Sequence, residues 1–333
     1  MLNENDALKI IESFLQPRMT FVQSQNDKDE ILRLAIELRK VADISPLLRF
    51  SVVSDIHIQY WDTQAQSKLS DALEDLHQLN PSLEALVING DLGDGRANDY
   101  AKITTILQSH PLPKQIYYTI GNHDYYKAYY NAAGDWSPTT FPNGELDSAS
   151  LERFLAFIQM PSVYYDRWIQ DFHFIFLGSE RYRQSDPANQ EDAWLSSTQL
   201  SWLQSKLQEN YIQHKPLFIF LHQPLQGTVS GSLPRGIVQH NELKQMLSQY
   251  PEVIFFTGHT HWELRLTSTL IRDVFTMVNS SSVSYPYDSN DQLIQGNRSE
   301  GLIVDVYEDR IHIRGRDFAN GAWFSEADFI VKR

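Results

Sequence analysis

The sequence predicts an α/β domain built on a largely buried sheet. Short runs of β-branched and aromatic residues alternate with stretches of helical periodicity, as expected for strands separated by helices. Five of the apolar runs are followed within three residues by Asp, Asn or His, so polar side chains collect where the predicted strands end. The first six predicted strands are Leu48 to Val53, Ala85 to Ile88, Gln115 to Ile120, Phe172 to Leu177, Leu217 to Leu221 and Val253 to Phe256.

The rest of the chain divides around this core. Helical spacing of apolar residues predicts two helices, over residues 7 to 16 and 28 to 42, so residues 1–46 form an N-terminal helical extension and 47–333 the main domain. After His261 the predicted strands are Val274 to Val278, Leu302 to Tyr307 and Arg310 to Arg314, the last two a hairpin. Residues 125–147 and 223–236 are predicted loops, and the second, rich in Gly and Ser, is a candidate lid.

Composition sets limits on function. The chain has 333 residues, 42% of them hydrophobic, and a formal net charge of −14, which argues against a general nucleic-acid binder. There is no cysteine, so disulfides, thiolate metal sites and cysteine nucleophiles are excluded. The first residues carry several charges and lack the apolar stretch of a signal peptide or membrane span, which predicts a cytoplasmic protein. The oligomeric state is not indicated.

The polar residues at the strand ends are predicted to meet in one crevice. Ligands of open α/β sheets bind beyond the carboxyl ends of the strands, where residues distant in sequence converge. Each motif alone is weak, because single histidines are commonly structural and Gly-Asp or Asn-His pairs are ordinary turn residues. Their occurrence at five strand ends favours a site. Its members are Asp55, His57, Asp91, Asn122, His222, His259 and His261.

The residue types indicate a transition-metal centre. In an extended chain residues i and i+2 point to the same side, so Asp55 and His57 could approach one ion if the strand continues that far. His259 and His261 have the same spacing. Mixed imidazole and carboxylate ligands suit zinc, iron, manganese or cobalt better than calcium or magnesium.

The motif set resembles the calcineurin-like metallophosphoesterase superfamily. That pattern reads D-x-H, G-D-x-x-D, G-N-H-[DE], a separate His and G-H-x-H, and every element is present in order over residues 48 to 316. The resemblance implies a four-layer αββα sandwich, two mixed sheets flanked by helices. It also implies two divalent or mixed-valence ions (Mn, Fe or Zn), one held by Asp55, His57, Asp91 and His261, the other by Asp91, Asn122, His222 and His259.

The resemblance further implies hydrolysis of a small phosphoester by a hydroxide that bridges the two metals, with no protein nucleophile. His123 is the expected proton donor to the leaving oxygen, and Asp94 the residue that keeps its imidazole charged and oriented. Asp124 is expected to serve local structure. Gly90, Gly121 and Gly258 each precede a ligand at a tight turn.

The sequence predicts the substrate class less precisely than the metal ligands. The sequence GDLGDGR departs from the G-D-x-V-D-R-G of protein serine/threonine phosphatases, and Asp94 stands where purple acid phosphatases carry a metal-binding Tyr. What remains resembles bacterial class III cyclic-nucleotide phosphodiesterases, so a phosphodiester, with nucleotides among the candidates, is favoured. A phosphomonoesterase or nucleotide pyrophosphatase is the alternative, and a non-catalytic scaffold a weaker one, since every ligand position is filled.

Two further groups are candidates for substrate contact. The tyrosines and Trp136 between residues 125 and 136 could stack on a base, although such clusters more often pack against the protein. Arginines are mostly surface residues, and three in predicted loops could meet phosphate or ribose. They are Arg181, Arg183 and Arg235.

Overall fold

The computed structural model describes residues 45–233 and 236–333. Both predicted N-terminal helices lie outside the described residues, as does nearly all of the extension 1–46, so the domain boundary stays a prediction. Arg235 also lies outside the described residues. Two mixed six-stranded sheets face one another. The predicted α/β sandwich of two sheets flanked by helices is confirmed.

The first sheet has the order β12-β11-β10-β1-β2-β3. Strands β1, β2 and β3 run parallel, whereas β10, β11 and β12 join antiparallel at the side of β1. Their bounds are β1 Leu48–Val53, β2 Ala85–Asn89, β3 Gln115–Thr119, β10 Glu300–Val306, β11 Arg310–Asp317 and β12 Ala322–Lys332.

The second sheet has the order β4-β5-β6-β7-β9-β8, with β5, β6, β7 and β9 parallel and an antiparallel strand at each edge. Its bounds are β4 Tyr165–Ile169, β5 Phe172–Phe176, β6 Leu217–Phe220, β7 Val253–Thr257, β8 Leu270–Arg272 and β9 Thr276–Asn279. The described α-helices are α1 Thr63–Leu79, α2 Ala97–Gln108, α3 Asp147–Ile158, α4 Ser197–Gln208 and α5 His240–Leu247.

Alternation of side chains explains the layers. In β5, Phe174 points to the other sheet and meets Phe50 edge to face, with ring centroids 4.9 Å apart, while its neighbour Ile175 belongs to a separate core with Leu203 of α4 and Leu243 of α5. Both faces of the strand are therefore covered, which is why it reads as an uninterrupted apolar run. Burying a side chain such as Phe50 contributes roughly 1.5–3 kcal/mol to stability.

All nine predicted strands are present, with ends that differ by at most three residues. The predicted hairpin is β10 and β11, in which Val306 pairs with Ile311. Three strands were not predicted, β4, β8 and β12. The segment predicted as a loop from Tyr125 carries 3-10 helices at His123–Tyr129 and Pro138–Thr140.

Candidate metal centre

The candidate site lies beyond the carboxyl ends of β1, β2, β3, β6 and β7, where the seven predicted ligands converge. Two groups have ligand atoms that all lie within 4.8 Å of one another, and Asp91 belongs to both. The first group is Asp55, His57, Asp91 and His261, and the second is Asp91, His222 and His259. Asn122 joins the second group through its Oδ1, 2.8 Å from His259 Nδ1.

The turns that carry these side chains have an unusual backbone. Five of the seven candidate ligands adopt a positive φ, a conformation that costs non-glycine residues energy and concentrates at functional sites. The surrounding backbone holds it: the Asp55 N–H donates to Gly90 O at 3.1 Å, and Ser282 Oγ donates to Asp55 O at 2.9 Å. The five are Asp55 (φ 54°), His57 (43°), Asp91 (51°), His259 (69°) and His261 (61°).

The strand-spacing argument for Asp55 and His57 was therefore wrong in its premise. Strand β1 ends at Val53, and both residues lie in the turn that follows. Their side chains still approach one another, with His57 Nε2 3.8 Å from Asp55 Oδ1, because the left-handed turns fold the chain around the centre. Convergence comes from turn geometry and not from strand alternation.

Three atoms of the first group crowd together. His57 Nε2 lies 3.0 Å from His261 Nε2, and His261 Nε2 lies 2.9 Å from Asp55 Oδ1. The His261 Nδ1–H donates to Tyr285 O at 2.9 Å, which leaves Nε2 as the atom that faces the centre. This is the arrangement in which a backbone carbonyl fixes the tautomer of a metal-binding imidazole.

The second group is built the same way. His222 Nδ1–H donates to Asn89 O at 2.8 Å, and its Nε2 lies 3.2 Å from Asp91 Oδ2. His222 and Asp55 are fully buried, and among the described residues His222 Nε2 and Asp55 Oδ1 are buried polar atoms that form no hydrogen bond of good geometry. Buried polar atoms are normally paired. A bound cation would satisfy both, so the residues present fit a metal centre.

The electrostatics agree with that fit. Burial would raise the pKa of Asp55, but the imidazoles of His261 and His222 hold it at about 2, so the carboxylate is charged. Burial, together with His123 and His261, lowers the pKa of His57 to about 3, which keeps its imidazole neutral. An ionised carboxylate and a neutral imidazole are the protonation states that metal ligation requires.

His123 and Asp94 lie together at the rim of the centre. His123 is in neither ligand group, and its Nδ1 is 3.6 Å from Asp94 Oδ1. Asp94 Oδ2 accepts hydrogen bonds from Tyr130 OH and Gln59 Nε2, both at 2.6 Å. Burial would lower the pKa of His123, but Asp91 and Asp94 raise it overall. The imidazole stacks on Tyr126, with ring centroids 3.8 Å apart.

The neighbouring small and acidic residues support the turns. Gly90 has a φ of +86°, and a Cβ there would overlap the ring of His222. A Cβ on Gly121 would overlap the side chain of Asp91. Asp124 accepts from the Gly121 N–H at 2.9 Å, and burial raises its pKa to about 7. It also accepts from Tyr100 OH at 3.1 Å, and its role in local structure stays a prediction.

The centre opens into a cavity of about 410 Å³, and four of its lining residues were not predicted. Glu191 and Tyr285 come from segments without a motif, 69 and 163 residues after Asn122, so no local signal marked them. The four are Gln59, Glu191, Tyr285 and Tyr287. The other lining residues are His57, Asp91, Asn122, His123, Tyr126, His259 and His261.

The other substrate-contact candidates are divided by the structure. Tyr126 lines the cavity, whereas Tyr125 is fully buried and donates to Ser179 O at 2.8 Å. Arg181 pairs with Asp186 away from the cavity, and Arg183 pairs with Glu191 at 3.2 Å behind the cavity wall. Neither described arginine lines the cavity.

The sequence matches the family model of calcineurin-like phosphoesterases over residues 48–263, and the chain belongs to this family. The predicted resemblance is confirmed. The family supports a metal-dependent phosphoester hydrolase with a dinuclear centre. A search of curated proteins finds no match. None of the helices in residues 45–233 and 236–333 has the length and hydrophobicity that a membrane span requires.

Solved structures share the fold at low identity. A dimetal phosphatase from Danio rerio is 15% identical, with a TM-score of 0.59 over 86% of this chain and 99% of that one. Purple acid phosphatase PPD1 from yellow lupin is 14% identical, with a TM-score of 0.54 over 86% of this chain but 54% of that one. GAP50, the anchor in the inner membrane complex of Plasmodium, is 14% identical, with a TM-score of 0.50 over 86% and 88%. At these identities the likeness is one of fold.

Proposed function

We propose that the protein is a phosphodiesterase that uses two transition-metal ions. One ion would be held by Asp55, His57, Asp91 and His261. The other would be held by Asp91, Asn122, His222 and His259, so Asp91 would serve both. The two overlapping groups of ligand atoms support this assignment. When bound, such ions lower the pKa of a coordinated water and stabilise the oxygens of the phosphoryl group. Manganese, iron and zinc suit the mixed donor set.

His123 then has the role of proton donor to the leaving oxygen. Its imidazole lies beside the centre without belonging to either ligand group, and its pKa is raised by Asp91 and Asp94 despite burial. Asp94 Oδ2 accepts hydrogen bonds from Tyr130 and Gln59, which orient the carboxylate so that its Oδ1 lies 3.6 Å from His123 Nδ1. A protonated imidazole held in one orientation is suited to general-acid catalysis.

The preference for a diester rests on the lining of the cavity. Among the described lining residues there is no lysine or arginine, and besides Asp91 the wall carries the carboxylate of Glu191. A phosphomonoester brings a dianion, which beyond the metal ions would meet no cationic side chain among these described residues and would face the carboxylate of Glu191. A diester brings one negative charge, which the metal ions balance. Tyr126, Tyr285 and Tyr287 supply flat apolar surface for its organic groups, so nucleotides are candidate substrates.

A comparison of two aryl phosphates tests this proposal. With Mn²⁺ supplied, we expect bis(p-nitrophenyl) phosphate to be cleaved with a higher kcat/KM than p-nitrophenyl phosphate. Preparations of Asp91→Asn run in parallel exclude a contaminating phosphatase. Cleavage of the monoester alone would reject the diester assignment in favour of a phosphomonoesterase, and no cleavage of either with no bound metal would favour a scaffold. A panel of cyclic nucleotides and dinucleotides then narrows the substrate.

A further inference from the structure

We infer that Glu191 is a positioning residue that turns the side chain of Asn122 so that its oxygen faces the metal centre. The inference rests on the ligand set proposed above, in which Asn122 binds the second ion. Only the Oδ1 of an asparagine can ligate a cation, because its Nδ2 is a donor with no lone pair available. The side chain must therefore be held in one of its two amide orientations.

Glu191 makes that choice through hydrogen bonding. The Asn122 Nδ2–H donates to Glu191 Oε2 at 3.0 Å, and Asn122 Oδ1 on the opposite edge of the amide lies 2.8 Å from His259 Nδ1. An ionised carboxylate only accepts hydrogen bonds, so it binds the amino end of the amide and rejects the oxygen end. The amide oxygen is consequently directed toward the ligand His259.

The carboxylate is itself held from several sides. Tyr182 OH lies 2.7 Å from both oxygens of Glu191, Tyr126 OH donates to Oε2 at 3.1 Å, and Arg183 Nη1 donates to Oε1 at 3.2 Å. Tyr182 is 1% exposed, so this anchor is part of the core. Gln223, which follows the ligand His222, donates to the backbone carbonyl of Glu191 at 3.3 Å. Glu191 therefore has a fixed position relative to the second group of ligands.

The expected effect is on metal affinity. If the amide can rotate, the competent orientation is only a fraction of the population, and the apparent affinity falls by that fraction. Loss of a partner that orients a metal ligand typically lowers affinity by about 10- to 100-fold. The first ion does not use Asn122, so its affinity should be unchanged.

Equilibrium dialysis against buffered Mn²⁺, with metal counted per folded chain, measures this directly. In Glu191→Ala we expect the dissociation constant of the second ion to rise about 10- to 100-fold. In Glu191→Gln we expect a smaller rise in that dissociation constant, since the new amide can present its own oxygen to Asn122. This variant keeps the side-chain shape and serves as the test if Glu191→Ala does not fold. Asp186→Asn, which removes an acid paired with Arg181 in the same segment, is the matched control. Unchanged binding of both ions in the two Glu191 variants would overturn the inference.

The same Glu191 substitutions in an Asn122→Asp protein distinguish orientation of the amide from attraction between the Glu191 carboxylate and the metal ion. In Asn122→Asp both terminal atoms are oxygens, so no orientation is needed and Glu191 only repels the new carboxylate. Removing Glu191 in that background should leave the affinity for the second ion equal or higher. A loss of affinity equal to that seen with Asn122 present would mean that Glu191 acts through its charge, and would reject the positioning role.

The outcomes also separate this inference from the proposed function. A wild-type chain that binds two Mn²⁺ ions but cleaves no phosphoester contradicts the function and leaves the positioning role open to the same dialysis experiment. An active wild-type chain whose Glu191 variants keep both ions contradicts the positioning role alone.

Discussion

The two walls of the cavity are built differently. The candidate ligands stand on turns after buried strands, and five of the seven have left-handed conformations that hydrogen bonds to neighbouring turns support. The other wall, which contains Tyr126 and Glu191, comes from 3-10 and loop segments and is held by hydrogen bonds between side chains. The first wall is fixed by the sheets and fits the metal chemistry. The second lies outside the strands, and it carries residues on which the proposed diester preference rests.

Replacement of Asp91, the candidate ligand shared by both groups, should have the largest effect on metal content and activity. Asp91→Asn removes a charge that belongs to both groups of ligand atoms. We expect the bound metal to drop and kcat/KM to fall by at least about 1000-fold, because the ions contribute several kcal/mol to transition-state stabilisation. Metal analysis and diester turnover measure the two effects.

Asp309→Asn is the control, since that side chain is 73% exposed and pairs with its neighbour Arg310. It should behave as wild type in both measurements. An Asp91→Asn protein that retained two ions and full turnover would show that the bridging assignment is wrong.

His123→Ala tests the proton-donor role of a residue that lies between the two walls, and it should have the next largest effect on the rate. The imidazole lies outside both ligand groups, so metal content should be unchanged. Loss of a general acid typically lowers the rate by about 10²- to 10⁴-fold. The loss should be greatest with poor leaving groups, which depend most on protonation, so a series of aryl phosphodiesters with different phenol pKa values is the measurement. Equal losses across the series would indicate a different role.

The difference between the walls also explains what could be predicted. The candidate ligands could be located from the sequence because an apolar run marks each strand that precedes them. The polar residues that follow such a run are then expected at the carboxyl edge of the sheet. These strands are β1, β2, β3, β6 and β7. The conformation of Asp55 and His57 could not be predicted, because left-handed φ is imposed by contacts with residues as distant as Ser282.

The second wall and the sheet edges had weaker signals. Glu191 reaches Asn122 across 69 residues, and neither sits in a periodic segment that would bring the two together. Strands β4 and β12 were missed because edge strands expose one or both faces, so polar residues interrupt the apolar pattern. The pattern of buried strands therefore predicted the α/β class and the place where the candidate ligands meet, whereas Glu191, Tyr285 and Tyr287 of the cavity carried no such signal.

The smallest predicted effect concerns the contact that joins the two walls at Asp94. Tyr130 OH donates to Asp94 Oδ2 at 2.6 Å, so Tyr130→Phe removes one of the groups that fix the carboxylate beside His123. A hydrogen bond to a charged group contributes about 1.5–3 kcal/mol. Because the hydrogen bond from Gln59 to Asp94 remains, we expect a smaller effect, a loss in kcat of about 3- to 10-fold. Metal content should not change. Tyr211→Phe, which removes a hydroxyl donor 2.7 Å from the remote Glu252, is the control.

The pH dependence of the same variant gives a second measurement of that contact. Burial would raise the pKa of Asp94, but the imidazole of His123 and the hydrogen bonds from Tyr130 and Gln59 lower it overall. A carboxylate with a lowered pKa keeps its charge, and its support of His123, until the pH falls through that low value. Without the Tyr130 hydroxyl the pKa of Asp94 should rise, so the acid-side loss of kcat should begin at a higher pH than in the wild type. A profile that coincides with the wild type while kcat is lowered at every pH would mean that Tyr130 acts on packing and not through Asp94.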